Sequence, residues 1–340
     1  LPEILAAFPT MCAQSYVRFA QPFLGHRMIY RSDTNHALGT ALRSIGLLLL
    51  FLTSPGNALA QQGSYDTWFP QGRYFAQPLA SSREPIFALR FLRSTVFRER
   101  SLPAERPPFD FSGQDGLDLD IQGEAALGAA LRIWQPLRWN SGGLMLGLQA
   151  GVFGRFRLEV SSNDLVSSDW IVSLPAEAAW GPWSGRLKIN HWSAHIGDEM
   201  IEGTGAERMD FTSETLEVLG AYQPSWLRIY AGGGVVFRSS LENETQLGPN
   251  FSDDYLIRGG TDAQWQPWTR DDVTLNAALD LQTSDRTAWA NRLSAQVGLA
   301  IHDGPKSARL LLIFHDGPSP MGQFFLTNER YWGFEVSLEY

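Results

Sequence analysis

The densest group of potentially reactive side chains is the segment His191-Trp192-Ser193-Ala194-His195. In an extended chain, residues two apart point to the same face, with their Cα atoms about 6.5 Å apart. A histidine at that distance can take the proton of a serine and make its oxygen a nucleophile. We therefore treat Ser193 as the candidate nucleophile and His191 as its general base, for the cleavage of an acyl ester.

Three acidic residues and a second histidine complete this candidate site. Glu214 follows in the next extended segment and is the best group to orient the His191 ring. Asp198 and Glu199 come directly after the histidines, and with loop carbonyls they are candidate calcium ligands. We group His195 with these two acids as binding residues. His191 and His195 are about 13 Å apart along a strand, so no transition-metal site is predicted.

A different interpretation needs no chemistry at all. If this segment is a membrane-spanning strand, His191, Ser193 and His195 lie on its lipid-facing side near one end. Polar groups cost little near the membrane interface, where they meet lipid headgroups. Both interpretations remain open at this point, and both depend on the strands that surround the segment.

The strands are indicated by alternation of apolar and polar residues from about residue 84 to the end of the chain. In residues 273–281, one face carries Val273, Leu275, Ala277, Leu279 and Leu281, and the other carries Thr274, Asn276 and Asp280. Such segments run for about 10 to 17 residues, whereas strands of soluble proteins average about five or six. A tilted strand crosses a membrane in about 9–11 residues, so the lengths favour a membrane barrel.

Short connections with proline and aromatic residues separate pairs of these segments. The prolines are Pro136, Pro182, Pro224, Pro267 and Pro305, and Trp or Tyr flanks the first four. They recur about every 40 residues, which is the length of one up-and-down hairpin. A propeller blade has a similar period but contains four short strands, whereas each period here holds two long ones. Aromatic residues beside such turns form a belt at one membrane interface.

These patterns predict an all-β fold, a transmembrane antiparallel up-and-down barrel of about 12 strands. The predicted strands are 84–93, 117–134, 144–159, 169–180, 185–196, 210–222, 225–238, 255–266, 271–282, 288–302, 307–316 and 328–340. An even count places both ends and the proline turns on the periplasmic side. The longer loops, near 94–116, 160–168, 197–209, 239–254 and 317–327, are then extracellular.

An export signal precedes the barrel. The apolar run Ile45–Leu52 follows Arg31 and Arg43 and precedes Ala58-Leu-Ala60, which is typical of a secretory signal peptide cleaved after Ala60. We therefore predict three parts: residues 1–60 as an N-terminal extension plus signal peptide, 61–83 as a periplasmic lead-in or plug, and 84–340 as the barrel. Met28 is a plausible translation start. Cleavage removes Cys12, so no disulfide or thiolate chemistry is expected.

The net charge and the last predicted strand indicate which partners the protein binds. The net charge of −9 argues against nucleic acid. Trp332, Phe334, Val336, Leu338 and Tyr340 share one face, and a terminal aromatic of this kind resembles the signal read by the barrel insertion machinery. We expect the cell outer membrane as the location, with its lipids or lipopolysaccharide as partners. The sequence leaves the oligomeric state open.

The predicted lumen carries charges of both signs. Its inward residues include Arg155, Arg157, Arg186, Lys188 and Arg228, and also Asp118, Asp120, Glu124, Glu177 and Asp280. Mixed signs favour internal pairing that fills a narrow lumen at least as readily as a selective channel.

Several segments resemble an uncharacterised bacterial family, the domain of unknown function 1207. They are Trp68-Phe-Pro70, Ser82-Arg-Glu-Pro85, His191-x-Ser193-x-His195-Ile-Gly-Asp198-Glu199, Gly232-Gly-Gly234 and Asp316-Gly-Pro-Ser-Pro-Met-Gly-Gln-Phe324. The resemblance covers roughly residues 68–340 and implies an outer-membrane protein, without implying an activity.

The three positions His191-x-Ser193 also resemble the motif of outer-membrane phospholipase A and lipid A 3-O-deacylase, whose dyads face the membrane. The phospholipase continues with Asn-Gly, whereas this chain continues with Ala194-His195, so its oxyanion donor has no counterpart here. Three functions follow as hypotheses: a structural or lipid-interacting barrel, an outer-leaflet lipid acyl-ester hydrolase, and a narrow channel. The sequence names neither a substrate nor a solute.

Overall fold

The computed structural model describes residues 66–99, 121–158, 163–204, 209–243, 254–269, 272–304 and 306–339. The predicted leader with its cleavage site after Ala60 lies outside these residues, as do Asp118 and Asp120. Within the described ranges, no helix has the length and apolar character needed to cross a membrane.

Nearly all of the described chain is β-strand, as the alternation of residues predicts. The strands are β1 (Thr67–Trp68), β2 (Phe87–Glu99), β3 (Ile121–Trp139), β4 (Gly142–Arg157), β5 (Leu165–Trp180), β6 (Trp183–Ile196), β7 (Met209–Tyr222), β8 (Leu227–Asn243), β9 (Asp254–Trp265), β10 (Val273–Ser284), β11 (Arg292–Asp303), β12 (Lys306–Pro318) and β13 (Thr327–Glu339). Helix α1 (Asp198–Thr204) follows β6, and a 3-10 helix (Asp285–Thr287) follows β10.

Strands β2 to β13 form a closed barrel. Each pairs antiparallel with the next along the chain, and β2 also pairs with β13, so the ring has no free edge. The predicted 12-stranded antiparallel barrel is confirmed. Strand β1 lies outside the ring and pairs with the end of β3, where Trp68 stacks on Trp134.

We call the end of the barrel with the short connections the turn end, and the opposite end the loop end. Pro182 and Pro224 lie in turn-end connections, as predicted. The prediction of a turn at Pro136 is wrong, because β3 continues to Trp139 and the chain reverses at residues 140–141. Two irregularities in the pairing of β3 with β4 accommodate the proline, which has no N–H to donate to the ladder.

The two faces of the strands differ as the alternation requires. On β10, the Leu279 side chain points outward and is 48% exposed, whereas its neighbour Asp280 points into the lumen and is 5% exposed. The outer wall is therefore apolar and the lumen is polar. Exposed aromatic residues gather at the turn end, namely Trp180, Trp183, Tyr222, Trp226, Trp265 and Trp268.

Residues 73–86, which we call the lumen segment, lie inside the barrel. The Tyr74 and Phe75 amides both donate to Glu177 of β5, and the Leu79 amide donates to Asp262 of β9. The first strand was predicted to begin at residue 84, but β2 begins at Phe87. Residues 84–86 belong to the lumen segment because the Glu84 carboxylate pairs with cations of the opposite wall.

The loop end is closed by residues 318–326, which we call the loop-end segment. Met321 and Phe324 pack in an apolar cluster with Val166, Ile196 and Met200 of α1. Phe325 and Leu326 pack against Ala194 and Phe211 in a second cluster. The segment was predicted as an extracellular loop, but its apolar side chains turn back into the barrel.

Candidate functional site

Strand β6 places the candidate residues on two opposite sides of the barrel wall. His191, Ser193 and His195 point outward, and Trp192 and Ala194 point into the lumen. The outward residues lie near the loop end, between β5 and β7. Ser193 is opposite Trp170 on one side and Thr212 on the other.

The structure pairs Ser193 with His195. The Ser193 Oγ and His195 Nε2 atoms are 3.2 Å apart, within hydrogen-bond distance. The sequence hypothesis used His191 as the base, but the His191 Nδ1 atom faces Glu214, whose Oε1 is 3.6 Å away. His191 and Glu214 are direct cross-strand partners in the register of β6 and β7. The outer wall therefore carries two neighbouring polar pairs.

Arg238 of β8 joins this group, and the sequence hypothesis missed it. Its Nη1 atom lies 3.8 Å from Glu214 Oε1, and its side chain is 77% exposed. Simple alternation from the exposed Phe237 would turn Arg238 into the lumen. A β-bulge between Glu214 and Thr215 in the pairing of β7 with β8 shifts the register, and a bulge of this kind re-aims a side chain.

The proposed calcium ligands, Asp198 and Glu199, lie on a helix and not on the outer wall of the barrel. Asp198 and Glu199 form the first turn of α1 and are exposed at the loop end. No group of three or more His, Cys, Asp or Glu side chains within the described ranges could hold a metal ion. Asp198 and Glu199 therefore stay predicted binding residues, and the geometry adds no third protein ligand.

The inward side of the same motif holds the loop-end segment in place. Gln323 Nε2 donates to the Ala194 carbonyl at 2.8 Å, and the Gly322 amide donates to Asp169 at 3.1 Å. A Cβ atom at Gly322 would lie 2.6 Å from the Ala194 Cβ, so a side chain does not fit there. Trp192 packs edge-on against Phe211. The β6 motif and the loop-end segment, which are far apart in sequence, thus meet in the lumen.

A dense ion-pair cluster crosses the middle of the lumen around Glu84. Its carboxylate lies 2.7 Å from Arg186, 3.1 Å from Lys188 and 3.4 Å from Arg258. Glu217 contacts the same three cations. Burial alone raises the pKa of Glu84, but the attraction of the cations outweighs it and holds this pKa well below its usual range.

A second cluster surrounds Glu124 nearer the loop end. Its carboxylate receives hydrogen bonds from Arg83, Arg90 and Arg155, and Arg155 also pairs with Glu329 at 2.8 Å. The predicted lumen residue Arg157 pairs with Asp164 at 2.8 Å. Charges of opposite sign are therefore paired across the lumen. Residue alternation could not reveal that Glu84, which precedes β2, supplies a central anion.

Solved structures with a similar shape share little sequence with this chain. Outer membrane phospholipase A from Escherichia coli has a TM-score of 0.43 and 12% identity, over 75% of this chain and 92% of that chain. The transport unit of the autotransporter AIDA-I from Escherichia coli has a TM-score of 0.44 and 11% identity, over 78% and 93%. The translocator domain of the autotransporter NalP from Neisseria meningitidis has a TM-score of 0.38 and 11% identity, over 90% and 98%. These identities are too low to transfer the role of any residue.

Sequence comparison gives a more specific result. No curated protein matches the chain. A family model described as "Protein of unknown function (DUF1207)" matches residues 121–340, which is more than half of the sequence. That span contains β3 to β13, the outward polar pairs on β6 and the loop-end segment. The resemblance inferred from the motifs is confirmed, and the chain belongs to the DUF1207 family.

Proposed function

We propose that this protein is an integral outer-membrane β-barrel with a closed lumen, and that it contacts outer-membrane lipids through the polar group on β6, β7 and β8. The observation that carries the proposal is the contrast between an apolar outer wall and an ion-paired interior. An apolar band with an aromatic girdle matches the thickness and interfaces of a bilayer. His191, Ser193, His195 and Arg238 then lie at the level of the headgroups.

The orientation follows from the strand count. With an even number of strands, both ends of the barrel sequence lie at the turn end, which we assign to the periplasm. The aromatic residues of the turn end then occupy the inner interface, and the loop end with α1 faces outward. The patch of His191, Glu214 and Arg238 is thus placed in the outer leaflet.

Membrane fractionation combined with heat-modifiable gel mobility tests this proposal. We expect the protein in the outer-membrane fraction, with a faster-migrating folded form that converts on boiling. A protein recovered in the soluble periplasmic fraction would overturn the proposal. Planar-bilayer recording tests the closed lumen separately, and a steady conductance from purified, folded protein would show that the lumen is open.

A second candidate function is hydrolysis of an acyl ester in an outer-leaflet lipid. The 3.2 Å contact between Ser193 Oγ and His195 Nε2 favours it. In this scheme His195 takes the hydroxyl proton, and Oγ attacks the ester carbonyl to form an acyl-enzyme. The alcohol leaves with the proton from His195, and water then releases the acid. His195 replaces His191 as the base. The His191–Glu214 pair lies two residues further along β6 from the loop end than Ser193.

An outward site suits such a substrate, because the ester reaches Ser193 from within the bilayer. Arg238 adds an exposed guanidinium beside Glu214, and guanidinium groups recognise phosphate oxygens of headgroups. Cells that express wild type, Ser193→Ala, His195→Ala or His191→Ala are compared by phospholipid and lipid A analysis. We expect lipid changes with wild type, none with Ser193→Ala or His195→Ala, and a partial effect with His191→Ala.

Labelling with a serine-directed fluorophosphonate gives an independent result. We expect Ser193 to be labelled in wild type and labelling to fall in His195→Ala. The hydrolase candidate is rejected if all four proteins leave the lipids unchanged and Ser193 is not labelled. The membrane-barrel proposal survives that result, because it depends on fractionation and not on activity.

A further inference from the structure

A partly open cavity of about 130 Å³ lies in the loop-end half of the lumen. The lumen segment forms its floor with Ser81, Arg83 and Glu84. Pro318, Ser319 and Phe325 of the loop-end segment also line it. Its side walls come from β5 to β11, and the cavity is separate from the polar group on the outer wall.

Two nitrogen atoms on this wall are buried N–H donors that find no acceptor among the described residues. They are Nε1 of Trp192 and Nη2 of Arg258, and the buried hydroxyl of Thr283 is also without a partner there. An indole N–H and a guanidinium can only donate hydrogen bonds. A buried donor left unpaired is destabilising, so the wall favours an occupant rich in acceptor oxygens.

Arg292 adds a positive charge that no ion pair balances within the described residues, and the more distant Asp280 attracts it. Its Nη2 atom donates to the amide oxygen of Gln282, a neutral group, and no carboxylate of the described residues is within ion-pair distance. The other cations of the wall are matched. Lys188 and Arg258 pair with Glu84 and Glu217, and these two acids also line the cavity.

We propose that this cavity is a binding site for a phosphate group, free or as a small ester. Its oxygens accept hydrogen bonds from Trp192, Arg258 and Thr283, and Arg292 balances its charge. At about 30 Å³ per water, the cavity has room for about four waters. It therefore takes one phosphate group and excludes a whole phospholipid.

Titration calorimetry on the folded full chain in detergent tests the site, with inorganic phosphate as the first probe. We expect saturable binding to wild type. Arg292→Gln should bind at least tenfold more weakly because it removes the unbalanced charge. Trp192→Phe should bind several-fold more weakly because it removes one N–H and keeps an aromatic ring. Arg330→Gln is the matched control, since Arg330 is exposed and pairs with Asp316 at the rim, away from the residues that line the cavity.

Glycerol 3-phosphate is the second probe and separates the two sources of the phosphate group. Tighter binding of the ester points to an esterified ligand, and tighter binding of inorganic phosphate points to the free ion. The proposal is overturned if neither probe binds saturably, because that is the result expected for a cavity that holds only water. It is also overturned if Arg292→Gln and Trp192→Phe both bind as wild type does.

Heat-modifiable gel mobility checks that each variant folds. If Arg292→Gln does not fold, Trp192→Phe decides alone, because it leaves the charge of the cavity unchanged and keeps an aromatic ring. Unchanged phosphate affinity in a folded Trp192→Phe protein then contradicts the site. Reduced affinity in Trp192→Phe, with Arg330→Gln unchanged, supports it.

Discussion

The two faces of strand β6 carry polar residues under opposite physical conditions. On the inward face, Arg186 and Lys188 are buried and fixed by Glu84 and Glu217. On the outward face, the His191 side chain is 50% exposed and its contact with Glu214 is a looser 3.6 Å. One strand thus carries buried, multiply paired cations on one face and an exposed, more distant pair on the other.

Burial, more than residue type, decides what a paired charged group contributes to stability. A buried ion pair gains little net free energy, but removing one partner leaves an uncompensated charge and costs about 3–5 kcal/mol. Exposed pairs are worth at most about 1 kcal/mol, since water replaces the lost partner. We therefore expect substitutions inside the lumen to affect folding, and substitutions on the outer wall to affect lipid contacts only.

The largest effect is expected for Glu84→Ala. This change leaves Arg186, Lys188 and Arg258 without their shared carboxylate, and we expect the free energy of unfolding to fall by about 3–5 kcal/mol. Urea unfolding in detergent micelles measures it. Asp316→Ala is the control, because its pair with Arg330 is exposed, and it should leave the midpoint unchanged. Equal effects of the two substitutions would contradict the comparison.

A somewhat smaller effect is expected for Phe324→Ala at the loop end. Phe324 is buried against Met200 and Met321, and its loss should lower the free energy of unfolding by about 3 kcal/mol. The loop-end segment should also become cleavable by added protease. Phe69→Ala is the matched control, since Phe69 is exposed, and it should leave proteolysis unchanged. Resistance of the Phe324→Ala protein to protease would show that other contacts hold the segment.

Acid should weaken the Glu84 cluster over a defined range of pH. The folded protein holds the pKa of Glu84 well below its ordinary value of 4.5. Its contribution is therefore fully present above about pH 4.5 and is lost as the pH falls through the lower folded value. For one carboxyl, the free energy of unfolding falls by at most about 1.4 kcal/mol per pH unit.

Unfolding measured between pH 7 and pH 3 in wild type and Glu84→Gln isolates this contribution. The pH dependence should be weaker in Glu84→Gln, because the amide does not titrate. Identical pH profiles of the two proteins would show that other carboxyls cause the acid effect.

The smallest effects are expected on the outer wall. Ser193→Ala and His195→Ala remove one exposed hydrogen bond, and each should change the free energy of unfolding by less than about 0.5 kcal/mol. Urea unfolding in the same micelles gives the direct comparison with Glu84→Ala. A loss of more than about 2 kcal/mol in either variant would mean that the pair stabilises the barrel, and would remove the basis for using these variants as tests of activity.

Much of the barrel could be predicted from residue alternation. The expected strand at 185–196 is observed as β6 (Trp183–Ile196), and the expected strand at 271–282 is observed as β10 (Val273–Ser284). Alternation also predicted that Arg186 and Lys188 point inward. The turn at Pro136 could not be predicted in this way, because a proline ends a strand in most settings and β3 avoids that outcome through two local irregularities.

The sequence predicted most residues of the candidate site, but it did not predict which histidine pairs with Ser193. Alternation brings His191, Ser193 and His195 to one face, and it leaves both histidines at the same nominal distance from Ser193. Only side-chain rotamers and the neighbouring strand choose between them, and Glu214 lies opposite His191 in the register of β7. Arg238 was missed because a bulge in β8 reverses its direction.

By itself, the sequence determined the class of fold and the two faces of each strand, since these depend on residues two apart in the chain. Tertiary structure alone decided what fills the lumen. The ion pair of Glu84 with Arg186 joins residues about a hundred positions apart, and the contact of Gln323 with Ala194 spans an even greater separation. No local pattern encodes such distances, because the closure of β2 onto β13 is what brings these segments into one interior.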